Sequence, residues 1–125
     1  MNSFTSVFKR VCLPVAFAAL VLAAAPALAH SHPVTMNPAP DSVVSAPTEV
    51  SIFFSEDLEP KFSSLKLVDT NGVVVSKQAS VLDPKNAKHM TLALPPLPPG
   101  VYTLQWMSSS VDGHRLSRSY NFTVK

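Results

Sequence analysis

Val50, Ile52 and Phe54 are each separated by a single residue, and this period of two recurs from there to the end of the chain. A strand points successive side chains to opposite faces, so such alternation makes one face apolar and predicts a half-buried β-strand. Leu65 and Leu67 share a face in the next such stretch, which runs through Asp69-Thr70-Asn71-Gly72 into Val73-Val74-Val75. Asn-Gly between apolar runs predicts a hairpin, because both residues tolerate positive φ. Met90 to Leu94 alternates and halts at Pro95-Pro96-Leu97-Pro98-Pro99-Gly100, where prolines lack the N–H that a sheet ladder needs. Tyr102, Leu104 and Trp106 share a face, as do Tyr120, Phe122 and Val124. Asp57 to Phe62 has room for one helical turn, kept short by Pro60. Pro38, Pro40 and Pro47 stiffen the first stretch, which is expected along a sheet edge. The expected fold class is all-β, a small antiparallel sandwich or barrel.

Lys9 and Arg10 precede an uncharged apolar run from Val11 to Ala25, and Ala27-Leu28-Ala29 has the small-x-small pattern of a leader cleavage site. The run is about 15 residues long, short of the roughly 20 that span a bilayer. Residues 1–29 are therefore expected to be a cleaved signal peptide, and residues 30–125 one secreted or periplasmic domain. Any transport role would then need a separate membrane protein. Cys12, the one cysteine, leaves with the leader, so packing alone must stabilise the domain. Without Lys9 and Arg10 the ten basic residues become eight, against eight acidic ones. No basic stripe or basic amphipathic helix points to nucleic acid or to a membrane surface.

Cleavage after Ala29 makes His30 the N-terminal residue, whose α-amine and ring Nδ1 can grip one metal ion as a chelate. Val111-Asp112-Gly113-His114 adds a carboxylate and a second imidazole. On extended backbone Asp112 and His114, two apart, would point to one side. Amine, imidazole and carboxylate together suit the tetragonal N,O geometry of Cu(II). His32 admits two uses. It joins His30 at that site, or it binds locally, the amine, two deprotonated backbone amides and its own ring wrapping the ion.

In order along the chain come His30, Pro38-Ala39, Ile52-Phe53-Phe54-Ser55-Glu56-Asp57-Leu58 and Phe62-Ser63-Ser64-Leu65-Lys66-Leu67. Pro99-Gly100-Val101-Tyr102-Thr103-Leu104-Gln105-Trp106 follows, then Ser110-Val111-Asp112-Gly113-His114 and Tyr120-Asn121-Phe122-Thr123-Val124. Across residues 30–125 this pattern resembles the CopC family of periplasmic copper-binding proteins. The resemblance implies a Greek-key, immunoglobulin-like antiparallel β-sandwich. It implies one Cu(II) per chain, held by His30, Asp112 and His114, and leaves both uses of His32 open. It also implies copper sequestration or delivery in copper tolerance, the partner being a membrane copper transporter or another periplasmic copper protein.

Some family members carry a Met-rich loop for Cu(I), whose soft character thioethers suit. The matching stretch, Val68 to Lys85, contains no methionine; Met36, Met90 and Met107 are scattered and are expected to be packing residues. Arg118 stands where the family commonly has glycine, which predicts a locally different hairpin. His89 is expected at the surface and Trp106 in the core. Asp112-Gly113 also reads as a turn pair, which is compatible with a ligand role. Two rival functions remain from the residues alone. One is a copper-dependent oxidative enzyme built on an N-terminal histidine chelate; the other is a metal-free immunoglobulin-like interaction module.

Overall fold

The computed structural model describes residues 30–125. The expected leader over residues 1–29, its cleavage point and Cys12 lie outside the described residues.

The alternating stretches become strands: β1 (Pro33–Asn37), β2 (Val43–Val44), β3 (Glu49–Phe54), β4 (Ser64–Val68), β5 (Val81–Asp83), β6 (Asn86–Ala93), β7 (Gly100–Ser109) and β8 (Arg115–Val124). They form two four-stranded sheets, ordered β1-β3-β6-β5 and β2-β8-β7-β4. The apolar face of each strand turns into the space between the sheets. Val50, Ile52, Phe54, Met90 and Leu92 come from the first sheet, and Leu65, Leu67, Tyr102, Leu104, Trp106, Phe122 and Val124 from the second. Phe54 and Trp106 meet across the layers edge to face, with ring centres 5.6 Å apart, the geometry that the aromatic quadrupole favours. The all-β sandwich and the core position of Trp106 are as expected.

The proline-rich start does lie on edges, and on both sheets. β1 is the outer strand beside β3, and β2 is the outer strand beside β8. β2 runs parallel to β8, so the sandwich is not wholly antiparallel. The turn allowed before Phe62 is a single 3₁₀ turn, Pro60–Phe62, with Glu59 as its N-cap. Among the described residues no helix is long and apolar enough to cross a membrane.

Three expectations about local structure change. The Asn71-Gly72 turn forms, with Gly72 at φ 74° and the Asp69 carboxylate accepting the N–H groups of Asn71 and Val73. Val73 to Val75 nevertheless make no strand, only a single bridge from Val74 to Val68. Val73 and Val74 are exposed and only Val75 packs against the core, its N–H donating to the Leu67 oxygen at 2.9 Å, so the return stretch has little apolar face to bury. β5 was not foreseen, because three residues are too few to display a period. Arg118 sits in ordinary strand backbone opposite Trp106, and among the described residues the non-glycine at positive φ is Asp41. The β7–β8 hairpin is therefore regular at Arg118.

Candidate metal centre

Two chain reversals build the site at one end of the sandwich. β1 pairs with β3 so that the Ser55 N–H donates to the His32 carbonyl oxygen at 2.9 Å. This leads the chain back through Ser31 to His30. β7 and β8 are joined by a tight turn over Ser110 to His114. There the Gly113 N–H donates to the Ser110 oxygen at 2.9 Å, and the Ser110 N–H to the His114 oxygen at 3.0 Å. Gly113 takes φ 91°, a left-handed conformation that glycine adopts without steric cost. Asp112 and His114 are thus brought together by a turn, which corrects the extended backbone expected for them.

Within the turn the Asp112 carboxylate is engaged on both oxygens. The buried Ser110 hydroxyl donates to Oδ1, as does the His114 backbone N–H, 3.2 Å away. His114 Nδ1 lies 3.1 Å from Oδ2. The Ser110 hydroxyl, the His114 backbone N–H and the His114 ring hold the Asp112 carboxyl below its ordinary 3.8, because each stabilises the ionised form. An ionised carboxylate beside Nδ1 fixes the proton on that nitrogen and leaves the Nε2 lone pair for a metal.

His30 and His114 face each other, with ring centroids 5.5 Å apart and planes at 66°. Imidazoles sharing one ion through bonds of about 2 Å have ring centres roughly 4.5 to 6.5 Å apart, depending on the bond angle. The pair therefore fits a shared ion. Among the described residues no three His, Cys, Asp or Glu side chains form a ready-made metal cluster. Further donors would have to come from the backbone, such as the α-amine of a chain starting at His30, or from a carboxylate that moves.

His32 is turned differently. Its Nδ1 is 3.1 Å from Ser55 Oγ and 3.2 Å from the His30 carbonyl oxygen. His89 is half-buried rather than a surface residue. Its Nε2 is 2.8 Å from Ser51 Oγ, its ring stacks on Phe53 at 4.0 Å, and Asp83 lies 3.6 Å from Nδ1. Of the methionines, Met90 is buried and Met36 packs against the core, as expected. Met107 is exposed because it points to the outer face of β7, alternate to Trp106.

Glu56 is a neighbour that the sequence reading passed over. It lines a cleft of about 240 Å³ with Asp57, Lys88, Ser110, Val111 and Asp112. Its position just past β3, the strand that pairs with β1, was the available signal. A larger groove of about 620 Å³ runs along Lys66, Gln105, Met107 and Arg118. Its charged groups are cationic, so it suits no metal cation.

A family model for the CopC domain matches residues 33–125. The chain belongs to the CopC family. It is 37% identical over 108 residues to copper resistance protein C of Escherichia coli, covering 79% of this chain and 84% of that one. It is similar to the crystal structure of CopC from Methylosinus trichosporium OB3b, with a TM-score of 0.72 and 31% identity, over 77% of this chain and 94% of that one. It also matches a part of the copper transport protein CutJ of Bacillus subtilis, 34% identical over 98 residues, 77% of this chain but 18% of that protein. The CopC match ends at Lys125 and takes in the Asp112–His114 turn. It begins at Pro33, so His30 and His32 stand just ahead of it.

Proposed function

We propose that this CopC-family chain, processed to begin at His30, binds one Cu(II) per molecule in the periplasm. There it sequesters copper or hands it on in copper tolerance. The approach of the His30 and His114 rings, from residues far apart in the sequence, carries this reading. The α-amine and Nδ1 of His30 and the Nε2 of His114 supply three nitrogens. Asp112 orients His114 and sets a negative charge beside the ion. Imidazole and amine nitrogen with carboxylate oxygen is a Cu(II) donor set, and Val68 to Lys85 contains no thioether for Cu(I). His32 keeps its place as a further donor, through the edge of its ring turned away from Ser55.

The names of the relatives support copper as cargo. The match within a longer copper transport protein supports a transporter as the exchange partner. The chain is read as a carrier rather than an oxidative enzyme, because Glu56 and Asp112 line one cleft beside the site, and a carboxylate moving from it would fill a position that such a centre keeps open for its oxidant.

The test is a Cu(II) titration of protein recovered from the periplasm, with its intact mass measured first. One Cu(II) per chain, lost on His114→Ala or on adding a residue before His30, is expected. Binding untouched by both changes would overturn the reading. Peroxide-dependent turnover by the copper-loaded protein would overturn the carrier role alone.

A further inference from the structure

The N-terminal tripeptide offers Cu(II) two different complexes, and the fold treats them unequally. In the local, planar one the donors are the α-amine, the backbone nitrogens of Ser31 and His32, and the His32 Nδ1. Each of the two amide nitrogens releases its proton to solvent as its bond to copper forms. In the folded chain the two His32 donors are already committed. The His32 N–H donates to Ser55 Oγ at 3.2 Å, and the same hydroxyl lies 3.1 Å from the His32 Nδ1. Ser31, between the two histidines, is 1% exposed. Its carbonyl oxygen accepts a hydrogen bond from Ser108 Oγ at 2.7 Å, wholly out of solvent. Ser108, at the end of β7, is 0% exposed. Residues 31 and 32 cannot fold around an ion without leaving these partners, whereas the His30 and His114 rings need only a bridging metal.

We infer that the Ser108–Ser31 and Ser55–His32 hydrogen bonds form a latch that selects the bridged His30–His114 copper site over the local planar one. Ser108 and Ser55 act as positioning residues. The inference rests on the bridged site proposed above. Removing the Ser108 hydroxyl leaves the buried Ser31 oxygen unsatisfied in the latched state only, which shifts the balance between the two complexes by about tenfold; removing the Ser55 hydroxyl frees the exposed His32 N–H and shifts it the same way by less. The latch also explains the use of serines here. A buried backbone carbonyl needs a donor, and an apolar residue at position 108 would leave the Ser31 oxygen with none.

The test uses periplasm-processed protein loaded with one equivalent of Cu(II) and read by electron paramagnetic resonance and d–d absorption. A planar four-nitrogen complex absorbs at higher energy, with larger copper hyperfine splitting, than a mixed nitrogen–oxygen site. Wild type is expected to show the mixed signal, and His114→Ala to remove it. In Ser108→Ala the planar signal should rise about tenfold, and the added change His32→Ala should abolish it. Ser55→Ala, at a half-buried position that leaves the core intact, should act in the same direction. Ser55→Ala keeping the wild-type signal, alongside a folded Ser108→Ala that does the same, would overturn the latch and leave the bridged site standing. A planar, His32-dependent signal in wild type would overturn both.

Discussion

The Asp112 carboxylate lies 3.1 Å from the Nδ1 of His114 and accepts from the backbone N–H of the same residue. One carboxylate thereby sets the tautomer, the ring orientation and the local charge of the histidine whose ring lies 5.5 Å from that of His30. Partners of this kind are worth roughly 10–100-fold in metal affinity. Asp112→Asn is expected to weaken Cu(II) binding by about that factor, measured by competition against a chelator of known affinity. Asn retains a side-chain acceptor for the turn, so the folded protein should survive.

Ser110 should control the ionisation of Asp112. In metal-free protein the Asp112 carboxyl is held below its ordinary 3.8, first by the Ser110 hydroxyl and next by the His114 N–H. A depressed folded-state value contributes stability above the unfolded value, and that contribution fades as the pH falls through the folded one. Carboxyl chemical shifts followed by nuclear magnetic resonance should therefore show Asp112 titrating below pH 3.8, and Ser110→Ala should move it upward. An unchanged titration would show that the Ser110 contact does not persist in solution.

Copper that bridges the two ends of the domain must stabilise the folded state, since the unfolded chain cannot present His30 and His114 together. At free Cu(II) about 100-fold above Kd the gain is at most about 2.7 kcal/mol, because the His30-Ser31-His32 segment of an unfolded chain also binds copper. For a domain near 100 residues, each kcal/mol shifts Tm by about 4–8 °C. A Tm rise of up to roughly 20 °C is expected by calorimetry, and His114→Ala should remove most of it. A full rise in His114→Ala would place the copper elsewhere.

Tyr120 provides a check remote from the metal. Its hydroxyl donates to the Pro38 carbonyl oxygen at 2.8 Å, tying β8 to the link between the sheets, and burial pushes its pKa up to about 12. For a raised value the contribution is complete below the unfolded pKa, near 10, and is lost as pH climbs toward 12. Urea midpoints should fall over that alkaline window, and tyrosinate absorbance should reveal one late-titrating residue. Tyr120→Phe should remove the late step and lower stability by about 1 kcal/mol.

Much of the sandwich was legible because burial on one face forces a period of two, and that period is visible in Val50-Ile52-Phe54 or Tyr102-Leu104-Trp106 without any partner. It failed where no such face exists. Val81-Leu82-Asp83 pairs with β6 yet is too short to show a period, and Val73-Val74 is apolar yet exposed. His30, Asp112 and His114 could be named from the order and chemistry of their motifs, and the Asp112-Gly113 turn from its residue types.

What the amino-acid order determined by itself was local: which faces are apolar, where glycine and proline stop a strand, and which donors the chain owns. Only the tertiary structure decided how those donors are disposed. It set His30 against His114, turned the Nδ1 of His32 toward Ser55, and buried Ser31 beneath Ser108. Such pairings join residues 23 to 84 positions apart. They depend on which strands become neighbours, and that is set by the packing of two whole sheets rather than by any stretch of sequence read alone.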